Sequence, residues 1–241
     1  MSIADKLTTI AENEQKVFES GKKAEYDAFW DSYQQNGSRE NYYIGFSGNG
    51  WTNETFKPKY DIRPTSARQM FAQSRITDLK GVLQRLGVNL DCSNCTNFSS
   101  MFNGSSITHI GVIDTRASAT ANELLYGANV ISVEKVILKD DGSQTFGSFV
   151  ASESKNLEQI FFEGVIGQSG LNLRWSTKLS HDSIVSIINA LSATTSDLTV
   201  TLSLDAVKKA FETSEGANDG NTSVEWKALT DTKKNWTISL V

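Results

Sequence analysis

The sequence predicts an α/β fold of stacked repeat units: a short, irregular solenoid behind an N-terminal helix, closed by an α/β cap. Three observations predict it. The first is a phrase that returns through residues 60–180: Met70-Phe71 ahead of Ile76 and Leu79, Met101-Phe102 ahead of Ile107 and Ile110, Leu125-Tyr126 ahead of Ile131 and Val133, and, more loosely, Phe149 ahead of Leu157 and Ile160. Its aromatics fall at 71, 102, 126 and 149, spacings of 31, 24 and 23. A period in the twenties belongs to repeat architectures, because one unit that small cannot bury its own apolar face and stacked units can. The second observation is a long run of strong helix formers before residue 36. The third is a change of texture after Ser180, where helix and strand patterns alternate.

Residues 1–35 read as one helix, without Pro and rich in Ala, Glu, Lys, Leu and Gln. Ile3, Leu7, Ile10, Val17 and Ala24 fit alternating steps of four and three, with Glu14 and Gly21 breaking the seam. That register suits either an amphipathic helix lying on its own domain or an oligomerising coiled-coil stalk through Ile3, Leu7, Ile10 and Val17. Residues 36–59 form a loop rich in Gly, Asn and aromatic residues. It reads as the N-terminal cap of the stack, and as an alternative Tyr42, Tyr43, Phe46 and Trp51 make a stacking platform for sugars.

The repeats occupy residues 60–179. Pro64 opens a short helix ending near Phe71, and each later unit reads as a helical turn bearing the aromatic, a polar corner and a short strand. Strands are predicted over residues 107–114, 130–139, 157–163 and 171–175, stacked as a parallel sheet along one face. Residues 180–241 form the cap. A helix follows Ser180 with apolar residues at steps of three and four, Leu198-Thr-Val-Thr-Leu202 alternates as a strand, helices follow over 206–212 and 224–229, and a last strand runs over 236–241.

Composition bounds the function. The net charge of −5 comes with scattered basic residues, which argues against nucleic acid as a partner. No stretch approaches the roughly 18 apolar residues of a membrane span, and the opening residues lack a signal-peptide pattern. The chain is therefore expected to be made and kept in a cytoplasm, unless it leaves as part of a larger assembly or by cell lysis.

Met101-Phe-Asn-Gly-Ser-Ser-Ile-Thr108, preceded by Cys95-Thr-Asn-Phe-Ser-Ser100, resembles the BspA-like leucine-rich repeats of bacterial surface proteins. Leu179 to Leu191 with the following Leu-Thr-Val-Thr-Leu strand is similar to the end unit of members from Firmicutes and their prophages. The segment Ala24 to Gly37, then Gly50 to Tyr60, resembles the heads of phage structural proteins. The resemblance implies a leucine-rich-repeat-like solenoid used for adhesion, partner binding or scaffolding. The units here depart from it in their uneven spacing and in lacking Met-Phe in the third and fourth copies.

Motifs for catalysis are weak. Cys92-Ser-Asn-Cys95 has redox or half-zinc spacing, but His109 and His181 are isolated, and buried thiols fit a repeat corner. His181-Asp182 reads as the first turn of a helix. No nucleophile elbow, phosphate loop or metalloprotease motif occurs. Neither a cofactor nor a metal nor an enzymatic activity is expected. The predicted function is a non-enzymatic binding or structural module of a phage or prophage virion, facing the host and contacting protein or carbohydrate on its surface or other virion proteins, as a homo-oligomer through the N-terminal helix. The alternative is a monomeric BspA-like surface adhesin. Binding residues are expected at the polar sheet-face positions Thr108, Lys135, Glu158 and Arg174 and at Tyr42, Tyr43 and Trp51 in the loop.

Overall fold

The structure is a computed structural model that describes residues 12–13, 24, 28, 45–147, 149, 154–211 and 223–241. Ile3, Leu7, Ile10, Val17, Tyr42 and Tyr43 lie outside the described residues, so the stalk and half of the aromatic loop are not placed. In chain order the elements are α1 (Leu79–Leu86), β1 (His109–Asp114), β2 (Ser132–Ile137), β3 (Gln159–Glu163), β4 (Asn172–Leu173), α2 (His181–Ala190), β5 (Leu198–Leu202), α3 (Leu204–Ala210), α4 (Val224–Asp231) and β6 (Trp236–Leu240). A single 3-10 turn, Ser154–Asn156, precedes β3.

Every strand pair and isolated bridge among the described residues is parallel. Each joins a residue to one a turn of chain later, from Thr52 with Arg75 to Leu198 with Trp236. Two three-stranded sheets result, ordered β1-β2-β3 and β4-β5-β6, rather than the single sheet expected along one face. The stacking takes in residues inside the stretch read as a cap loop: Phe46 N–H donates to Met70 O and Gly48 N–H to Ala72 O.

The repeated phrase forms hydrogen-bonded corners, not helical turns. Phe71 N–H donates to Met101 O, and Leu125 N–H to Phe149 O. Around these positions the backbone turns left-handed twice per unit, at Gln69 and Gln73, Ser100 and Gly104, Glu123 and Gly127. A helix cannot pass through residues at positive φ, so the helix expected between Pro64 and Phe71 does not form. The corner sets the register of the third copy as well. Leu125 is buried at the ring position while Tyr126 stands 41 % exposed, so the stacked positions are 71, 102, 125 and 149.

Phe46, Phe71 and Phe102 stack face to face through this interior, with centroids 5.5 and 5.7 Å apart and interplanar angles of 25° and 5°. All three are fully buried, each contributing about 2–3 kcal/mol of hydrophobic stabilisation. A second buried row runs Ile110–Val133–Ile160 across the first sheet, with Leu79 of α1 and Ile184 of α2 buried beyond its two edges.

The two helices cover the edges of that sheet. α1 is capped by Asp78, whose carboxylate accepts from Gly81 N–H, and ends on Gly87 at φ 65°. Its Leu79, Val82 and Leu83 are buried. α2, capped by Ser180, lies along β3, and there Ser183 and Ser186 accept hydrogen bonds from Ile160 N–H and Phe162 N–H, both at 3.0 Å. Two serines one helical turn apart thus take the place of a fourth strand. Close approach of consecutive turns fixes Gly164: at φ 95°, a Cβ there would lie 2.5 Å from Leu138 O.

Candidate binding face

The exposed side of β1-β2-β3 carries two charge pairs, Lys80 with Glu134 and Lys135 with Glu163. Buried positions on β1 and β2 step by three, and β2 is bulged against β3. Strict alternation would bury one of two adjacent residues, yet the buried positions on β1 are Ile110 and Ile113 and on β2 are Val133 and Val136. The β2–β3 register shifts between Val133 and Val136, whose partners on β3 are Ile160 and Phe162. A bulge of this kind re-aims side chains, and here both Glu134 and Lys135 stay out of the core.

Each of the two reaches a different neighbour. Lys80 of α1, its stem against Gly111, places Nζ 2.9 Å from Glu134 Oε2, and Lys135 Nζ lies 2.6 Å from Glu163 Oε2 on β3. Val112, paired in register with Lys135, is 42 % exposed between them. Exposed pairs of this kind contribute at most about 1 kcal/mol each, so they pattern the surface more than they stabilise it. At the end of β1, Asp114 holds Arg116 through both oxygens, at 2.6 Å from Nη2 and 3.0 Å from Nε. That hydrogen bonding keeps the Asp114 carboxyl below its ordinary pKa.

Beside this face, α1 and β1 leave an open groove of about 410 Å³. Leu79, Leu83, Val88, Leu90, Ile110 and Val112 give it an apolar lining, and the Lys80–Glu134 pair stands on its rim. An apolar floor with a charged edge is the chemistry of a site for a side chain or a small apolar ligand.

The residues expected to bind are only partly gathered here. Thr108 and Glu158 lie in one row just ahead of β1 and β3, linked through Ile131: Ile131 N–H donates to Thr108 O and Glu158 N–H to Ile131 O. The Thr108 hydroxyl is spent on Thr77 O at 2.8 Å. Lys135 is central to the face. Arg174 lies apart, just beyond β4 of the other sheet, with its guanidinium 4.9 Å from the Trp175 ring centre. Trp51 is half-buried, edge-on to Phe46 at 5.4 Å and Phe56 at 6.3 Å, which places it against the core. Glu134, Glu163, Lys80 and Val112 were missed. The signal that points to Lys80 is the helix pattern of Leu79, Val82, Leu83 and Leu86 between Asp78 and Gly87.

Cys92 and Cys95 are buried free thiols, and burial pushes both above the ordinary thiol pKa. Among the described residues no group of three or more His, Cys, Asp and Glu side chains is placed to hold a metal ion, and no helix is long and apolar enough to cross a membrane. No protein-family model, no curated protein and no solved structure matches this chain.

Proposed function

We propose that the chain is a non-enzymatic binding module built as a leucine-rich-repeat-like solenoid, serving as a host-facing structural part of a phage or prophage virion and using the exposed face of β1-β2-β3 to contact protein or carbohydrate. The resemblance of its repeats and of its two ends motivates the virion setting. The observation that carries the binding face is that Glu134 and Lys135, adjacent on β2, both stay out of the core beside exposed Val112. Stacked turns add reach, and oligomerisation through the N-terminal helix would multiply weak contacts through effective concentration.

The test is co-sedimentation of the full chain with cell envelopes of a Firmicutes host, comparing wild type with a Val112→Asp, Lys135→Glu double variant. Both residues are surface positions, so the variant is expected to fold and to lose most of its sedimentation. Retained binding by a folded double variant overturns the assignment of this face. Light scattering on Leu7→Asp addresses the stalk independently: a fall in mass to that of the monomer supports it, and an unchanged mass refutes it.

A further inference from the structure

His181 stands at the first position of α2, immediately after its Ser180 cap. Its Nδ1 lies 3.1 Å from Asp182 Oδ1 and its Nε2 lies 2.7 Å from Glu225 Oε1, in the first turn of α4. The ring also rests 4.8 Å from Phe211, which in turn meets Trp226 at 5.2 Å. A carboxylate only accepts, so an imidazole facing carboxylates through both nitrogens fills both bonds only when both nitrogens carry protons. A cation at the start of a helix is disfavoured by the helix dipole. Here each of the two helices brings its own first-turn acid, Asp182 and Glu225, to offset that.

We infer that His181 is a pH-operated clasp between the first turns of α2 and α4: as imidazolium it pins the start of α4, and as neutral imidazole it releases that turn while β6 stays in its sheet. The charges facing the ring among the described residues are Asp182 on its own helix and Glu225 on α4. α3 meets it with the uncharged Phe211 ring, and the other charges of that element are Asp205 in its first turn and Lys208 and Lys209 in its last. The release is local because the far end of α4 and β6 are held by groups that do not titrate with His181. Lys233 Nζ donates to Asn189 O and Leu191 O, Trp236 Nε1 donates to Ser192 O at 2.9 Å, and β6 pairs with β5 along its whole length.

The hydrogen bond to Asp182, followed by that to Glu225, holds His181 above its ordinary pKa of 6.5. A group raised in the folded state contributes its stability in full below the unfolded value and loses it as pH rises through the folded one. The clasp is therefore closed in mild acid and opens on the alkaline side of that raised pKa.

The experiment is amide hydrogen exchange on the full chain at about pH 5 and about pH 8, corrected for intrinsic rates and read on residues 224–228 and, as a control, 236–240. Wild type is expected to lose up to about fivefold protection in 224–228 at the higher pH, the upper end for a half-exposed charge contact, with 236–240 unchanged. His181→Gln and Glu225→Gln are each expected to show the looser protection of 224–228 at both pH values. A loss that persists unchanged in both variants, an equal loss in 236–240, or no loss at all in wild type each overturns the clasp.

Discussion

Replacing Ser183 by alanine tests whether α2 truly substitutes for a strand at the edge of β3. Ser183 Oγ accepts from Ile160 N–H at 3.0 Å and from the Ser180 hydroxyl at 2.9 Å, and both Ser183 and Ile160 are fully buried. The substitution leaves a buried N–H without an acceptor, a cost of about 1–3 kcal/mol. Alanine returns about 0.5 kcal/mol of helix propensity. The net loss is about 0.5–2.5 kcal/mol, which at roughly 2–4 °C per kcal/mol for a chain of this size lowers Tm by several degrees. Ser186→Ala is the internal control. It makes the same kind of bond, to Phe162 N–H at 3.0 Å, but both partners are half-buried. Water replaces the hydroxyl there, and the same propensity gain brings its net cost to about zero to 0.5 kcal/mol. The propensity terms cancel between the two variants, so the difference reports the burial of the Ile160 N–H together with the bond from the Ser180 hydroxyl that only Ser183 accepts. Urea unfolding at equal m-values measures it. Equal losses for Ser183→Ala and Ser186→Ala, or a neutral Ser183→Ala, refute the edge-capping role.

Two further outcomes follow from the same geometry. Phe71→Ala empties the middle of the Phe46–Phe71–Phe102 stack and is expected to cost about 3–5 kcal/mol in urea unfolding, whereas Phe71→Leu, the residue type that Leu125 places at the equivalent position, is expected to cost under about 1.5 kcal/mol; similar losses for the two would show that the stack is not close-packed. Asp114, held below its ordinary pKa by its hydrogen bonds to Arg116, contributes stability that is present above the unfolded value and is lost as pH falls through the depressed folded one; Arg116→Met is expected to flatten that acid limb of the stability profile, and an unchanged limb would assign the acid sensitivity to other carboxylates.

How much of this was legible in the sequence depends on whether a residue's environment is set locally. Leu198-Thr-Val-Thr-Leu202 alternates, and β5 runs over those residues with Val200 and Leu202 buried. The helix predicted after Ser180 is α2, since a serine cap and apolar steps of three and four are both local signals. Ring type is a poor marker of the repeat register: it points to Tyr126, whereas the buried position is Leu125. The actual marker is backbone geometry, a left-handed residue two places before and two places after the buried position, and Gln69, Gln73, Ser100 and Glu123 are not residue types that announce it. α1 falls in a stretch for which the repeat pattern makes no assignment, although its own apolar spacing between Asp78 and Gly87 is a clear local helix pattern.

The candidate face was less legible than the fold for a related reason. Lys135 follows from the β-strand predicted around it, and that strand pattern singles out no role for Glu134. A bulge is a relation between strands: it arises when the step from Val133 to Val136 on β2 is matched to the step from Ile160 to Phe162 on β3, and a single strand's pattern carries no trace of its neighbour's spacing. The His181 clasp is the same kind of object across a longer distance. His181-Asp182 is visible in sequence as a first turn, but Glu225 lies 44 positions away on another helix. Only the stacking of α4 on α2 turns an ordinary helix start into a ring held between two carboxylates. Stacked turns make such long-range pairs routine, since every turn meets its neighbour through residues more than twenty positions apart.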